Sequence, residues 1–123
     1  MTCEINSHDW PAFCRRITEQ RAAATVKLEA IGPDGIKTGL VDGGALQSMT
    51  FDGSDPCNDL IILRVRQTRE ITHEILDPIQ IRLLPSGTPG DFNPIEIVAE
   101  NGTTLITLTP SVHARMLEGF KTL

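Results

Sequence analysis

Apolar residues follow two periods along this chain, and the change between them marks its main division. In "DWPAFCRRITEQRAA", Trp10, Phe13, Cys14 and Ile17 fall at i, i+3, i+4 and i+7, the stripe of one helix face. Arg15, Arg16 and Glu19 take the opposite face. Pro11 suits only the first turn of such a helix, and Ser7 or Asp9 is placed to cap it. From Thr25 onward the period is two. "TVKLEAIG" alternates Val26, Leu28 and Ala30 with Lys27 and Glu29, the pattern of a half-exposed strand. "PDG" at 33–35 turns the chain and "IKTGLV" returns as its partner. "DGG" at 42–44 is expected to break the chain again, leaving "ALQSMTFDG" as a separate short strand.

"DLIILRVR" and "REITHEIL" flank "QTR", a three-residue connection that suits a hairpin. Pairing Arg66 with Glu70 sets Val65 against Ile71, Leu63 against His73 and Ile61 against Ile75 on one face. The other face then pairs Arg64 with Thr72 and Ile62 with Glu74. One face is apolar, the other carries opposite charges, and a single register satisfies both. After the Asp77-Pro78 turn, "IQIRLL" is expected to place Ile79, Ile81 and Leu83 on one face. "PSGTPGDFNP" reads as a loop.

The last hairpin, "PIEIVAE" and "TTLITLT", is joined at Asn101-Gly102, a type I′ pair. Pairing Glu100 with Thr103 sets Ile97 against Ile106 and Ile95 against Leu108, with Val98 and Leu105 on the reverse face. Thr109-Pro110 then reads as the start of a short helix carrying Val112, Met116, Leu117 and Phe120, a candidate lid for the Val98/Leu105 face.

These elements predict an α+β fold in a single domain spanning residues 1–123. An N-terminal helix precedes about six or seven antiparallel strands in a twisted sheet, a sandwich or partial barrel, and a short C-terminal helix packs on it. One Trp, four Phe and no Tyr leave the core to Ile, Leu and Val. The net charge of −5, without a basic face, argues against nucleic acid as a partner. Arg64, Arg66 and Arg69 are the nearest to a basic cluster, and Glu70 and Glu74 lie beside them. Cys3, Cys14 and Cys57 are odd in number and form no CxxC, so neither a zinc knuckle nor a dithiol site is expected. "MTCEINSHDW" has no apolar segment of signal-peptide type, and no stretch approaches a membrane helix. A cytoplasmic protein with free thiols and no membrane association is the expectation.

Five segments, "WPAF", "VKLE", "LQSMTFD", "THEILDPIQI" and "IEIVAENGTTLITL", occur in this order from Trp10 to Leu108. Their order and spacing resemble a family of small bacterial proteins classed only as a domain of unknown function. The resemblance implies one folded domain and, because that family has no established activity, no catalytic residues. The segment from Pro110 departs from it, since such proteins tend to end near the last strand.

His73 is the candidate for chemistry, with Asp77 near it in sequence. On the Ile71/Ile75 face it is expected to be a structural imidazole, its pKa lowered by burial. A metal site would need three or four converging donors, which His8 and Cys57 are too distant to supply. The consecutive Ser7, His8 and Asp9 are explained by a helix start, since triads are set by geometry in space. Cys14 lies on the apolar helix stripe as a small hydrophobe. Cys3 and Cys57 fall in segments expected to be exposed, with nothing nearby to lower a thiol pKa. The glycines of "DGGALQSMTFDG" match no phosphate-binding motif.

No catalytic, cofactor or metal residues are therefore assigned. The expected function is a non-enzymatic binding or protein-interaction module, using a sheet face, a free edge strand or a groove. The partner would be another protein or a second copy of the chain. The alternative is a small-ligand-binding half-barrel or minor enzyme with its pocket at His73, Asp77 and the 85–93 loop.

Overall fold

A computed structural model describes residues 2–55 and 57–122. The chain opens with a short strand, β1 (Cys3–Ile5), a 3-10 turn at Ser7–Asp9, and the helix α1 (Trp10–Gln20). Strands β2 (Thr25–Ile31), β3 (Lys37–Asp55), β4 (Asn58–Arg66), β5 (Glu70–Leu76) and β6 (Pro78–Pro85) follow. Then come β7 (Asp91–Ala99), β8 (Gly102–Thr109) and the two-residue β9 (Val112–His113). They form one nine-stranded sheet in the order β1-β6-β7-β8-β2-β3-β4-β5, with β9 also paired to β7. Every pairing is antiparallel.

The expected α+β class and N-terminal helix are present, and the sheet is larger than the six or seven strands expected. β1 and β9 are too short for a period of two to appear in sequence. A second departure lies in β3. The glycines at 43 and 44 bend one 19-residue strand that pairs first with β2 and then with β4, rather than ending it. Gly43 has φ +88°, and the pairing with β2 shifts register on either side of Lys27–Leu28. A Cβ on Gly44 would stand 2.5 Å from Val65 Cγ1, so the bend also packs the β3 backbone directly against a β4 side chain.

The β4–β5 register is the expected one, with Arg66 opposite Glu70 and Leu63 opposite His73. The charged face is paired diagonally, Arg64 Nε lying 3.8 Å from Glu70 Oε1. The β7–β8 register is displaced by two from expectation. Val98 faces Thr103 and Ile95 faces Ile106, so Glu100 and Asn101 occupy the turn and Gly102 begins β8. A slip of two conserves the faces, and Ile95, Ile97, Ile106 and Leu108 are all buried. The reason lies at Gly102, whose φ is +138° and whose Cβ would meet the Ile31 carbonyl oxygen at 2.5 Å. Glycine here serves a close approach to β2 as well as the turn. Ile79 also departs from expectation. A bulge between Pro78 and Gln80 turns Ile79 outward, 62% exposed, and Pro78 inward.

Among the described residues no α-helix follows Pro110. Val112 pairs with Phe92, and Ala114–Leu117 form a single 3-10 turn. Carbonyls of this segment are taken instead by Arg16 of α1 and by Arg21, which follows the helix. Arg16 Nη1 donates to the Met116 and Glu118 oxygens at 2.9 and 2.6 Å, and Arg21 Nε donates to Ser111 O at 3.0 Å. The Arg16 guanidinium lies 4.2 Å above the Phe120 ring, which also meets Phe13 edge-on. The segment thus closes over α1, and Val98 and Leu105 stay half-buried. Nor does Asp9 cap the helix. Asn6 Oδ1 caps the preceding turn through His8 N, while the Asp9 carboxylate accepts from Lys121 N at 2.8 Å.

The buried apolar residues of α1 and of the inner sheet face make one cluster. Thr18 fastens helix to sheet, its Oγ1 accepting from Met49 N at 2.9 Å where β3 bulges. Just ahead of Pro94, the Asn93 side chain stands in for backbone ladder bonds to β8, donating to Leu108 O and accepting from Leu108 N.

Candidate functional site

The sheet curls far enough for strands four places apart in its order to meet across the interior. His73 on β5 points inward between Ile71 and Ile75, and its Nε2 lies 3.3 Å from Thr104 Oγ1 on β8. Thr104 is buried at 6% exposure, so its hydroxyl and the imidazole satisfy one another in a largely apolar setting. Burial holds the His73 pKa below its ordinary value of 6.5, which favours the neutral ring. A cavity of about 210 Å³ opens beside this pair. Its wall includes Ile31 from the end of β2 with Gly32 just after it, Ile75 and Leu76 from β5, and Gly102 and Thr103 from the start of β8. The chemistry it offers is an imidazole held toward its neutral form and the Thr104 hydroxyl in a mostly apolar wall, with Glu74, Asn101 and Thr103 also lining it.

Asp77 is four residues from His73 in the chain and belongs to a different place. It lines a second cavity of about 300 Å³ with Asp52, Ser54, Asp55, Asn58 and Leu60, and Leu76 is the residue common to both walls. Its φ of +51° lies in the left-handed region that Asp tolerates better than most residues. Its N–H donates to Asp59 O at 2.9 Å, fixing the corner where the chain leaves β5 for β6. Around it, hydrogen bonds hold two exposed carboxylates below the usual range. Asp52 accepts from the Ser54 hydroxyl and backbone, and Asp55 accepts from Cys57 N and then from the Asn58 side chain. The segment expected as a loop over 85–93 is instead the end of β6 and the start of β7, Pro85 pairing with Phe92, around a shorter connection at 86–90, and it lines a third depression of its own. The structure therefore does not bring His73, Asp77 and that segment into one pocket.

Among the described residues, no group of three or more His, Cys, Asp and Glu side chains converges as metal ligands would. Burial pushes the Cys14 thiol up to about 12, so this sulfur is a core hydrophobe in the folded protein. Cys3 is half-buried in β1 and Cys57 is exposed. No helix of the described residues is long and apolar enough to cross a membrane.

The two edges of the sheet differ. β1 is three residues long, and Ile5 at its end bridges Thr122, with Asn6 N donating to Lys121 O. β5 is seven residues long and hydrogen-bonded to β4 along one side. It contains no proline, lysine or bulge of the kind that blunts an edge. At its end Leu76 is 55% exposed, and Ile79, three residues on in the chain, is 62% exposed. Sequence reading found His73 and missed Thr104. Alternation with Ile106 and Leu108 puts Thr104 on the inner face, but its meeting with β5 depends on curl between strands that are not neighbours.

A comparison with protein-family models finds none that matches this chain, and comparisons with curated protein sequences and with solved structures find no match either.

Proposed function

We propose that this protein is a binding module that takes an extended polypeptide segment as an added strand along β5. The observation that carries this reading is the seven-residue edge of β5, regular, free of proline, lysine and bulge, and among the described residues paired on one side only. An added strand gains main-chain hydrogen bonds for affinity, and side-chain recognition at alternate positions gives specificity. The exposed Leu76 and Ile79 extend the apolar surface beyond the strand's end. Kinship with the small bacterial family of unknown function is part of the same proposal and rests on the five ordered segments alone.

The test is an amide NMR titration with synthetic seven-residue peptides that alternate apolar and polar side chains. Saturable shifts along Glu70–Leu76, with slowed exchange of amides there, are expected. Failure of every such peptide to perturb β5 contradicts the reading.

The cavity beside His73 and Thr104 supports a second reading, a site for a small apolar molecule with one polar group. Titration with phenol-sized probes separates the two. Shifts confined to Ile31, His73 and Gly102–Thr104, with β5 otherwise silent, would favour the small ligand.

A further inference from the structure

Resting on that edge reading, we propose that the strand added to β5 is β5 of a second copy of this chain, paired antiparallel about a two-fold axis through His73. The axis relating two antiparallel strands of one sheet runs perpendicular to the sheet, so opposed side chains share a face. Inner residues Ile71, His73 and Ile75 must then meet inner residues. Outer residues Glu70, Thr72, Glu74 and Leu76 must meet outer ones.

This restriction leaves few registers. Centring the axis on Thr72 sets Glu70 against Glu74 of the second copy twice, and centring it on Glu74 opposes the two Glu74 side chains. Like charges directly opposite are destabilising. Centring on Ile71 or Ile75 pairs only three residues of each strand. Centring on His73 pairs all seven, with His73 against its own copy, and opposes no like carboxylates, because Glu70 and Glu74 lie at unequal distances on either side of the histidine.

The neighbouring strands fit the same register. On the inner face the row reads Val65, Ile71, then Ile75 and Ile61 of the second copy, apolar throughout. On the outer face Arg64 lies opposite the short Thr72, with Glu74 of the second copy next in the row, so opposite charges flank a small side chain. Burial points the same way. Leu63 and Val65 on β4 are each 1% exposed, whereas His73 and Ile71 opposite them are only half-buried. A further strand would cover them as β5 covers β4.

Sedimentation equilibrium over a concentration series, on the wild type and two variants, tests this. Thr72→Glu sets the new carboxylate opposite Arg64 within one chain, which favours the fold, and against Glu74 of the second copy twice, which opposes pairing. The wild type is expected to be a dimer, with Thr72→Glu weakening it about tenfold. Adding Glu74→Lys should restore dimerisation. A dimer indifferent to both variants uses another surface and overturns the proposal. A wild type that stays monomeric at every concentration overturns it too. The edge reading then stands if the outward β5 amides of that monomer exchange rapidly, and falls if they are protected.

Discussion

His73 stands on the inner sheet face with one ring nitrogen near the Thr104 hydroxyl and with burial opposing its charged form. Its folded pKa lies below the unfolded one, so above pH 6.5 both states are neutral and stability does not depend on it. As pH falls through 6.5 the unfolded chain takes up a proton first, and stability declines until the folded ring also titrates. His73→Leu should therefore keep the fold, change stability near neutral pH by at most about 2 kcal/mol, and flatten the loss of stability below pH 6.5. Denaturant titrations of both proteins across that window check it. An unchanged slope would contradict the burial of His73.

Gly102 is a sharper case, because both its φ of +138° and the Ile31 carbonyl oxygen exclude a side chain. Gly102→Ala should destabilise by about 2–3 kcal/mol in equilibrium unfolding. Thiol labelling of the native protein should modify Cys57 quickly and Cys14 only on unfolding. The importance of Asn101-Gly102 was legible in sequence, but its register was not. The dipeptide matches a type I′ turn, and only the proximity of β2 shows that the glycine is required one position later.

At the scale of elements, local pattern carried a long way. The α1 stripe and the β4–β5 ladder follow from periodicity, because each was checked by a second phase of polar residues on its other face. The C-terminal segment did not, because Val112, Met116 and Phe120 at helical spacing describe equally well a strand and turn drawn onto α1. What decides between them is the pair Arg16 and Arg21, which take the Ser111, Met116 and Glu118 carbonyls from a distant part of the chain. Arg16→Ala should accordingly cost about 1–2 kcal/mol. It should also speed amide exchange between Ser111 and Phe120 more than elsewhere. Uniform change along the chain would show that α1 does not hold this segment.

At the scale of the whole molecule, curl and edges decide what the fold can do. Curl brings β5 to β8 and makes the His73 cavity, and no strand-by-strand reading supplies that contact. The edges are asymmetric. β1 is short and bridged by Thr122, while β5 offers seven residues to whatever strand comes next. The most direct measurement of this account is residue-resolved amide hydrogen exchange along Glu70–Leu76 in dilute protein, compared with concentrated protein. Alternating protection is predicted on dilution, with amides facing β4 slow and outward ones fast, and the outward amides should slow as concentration rises. Outward amides that are already protected in the dilute monomer would mean that the edge is covered, and the account would be contradicted.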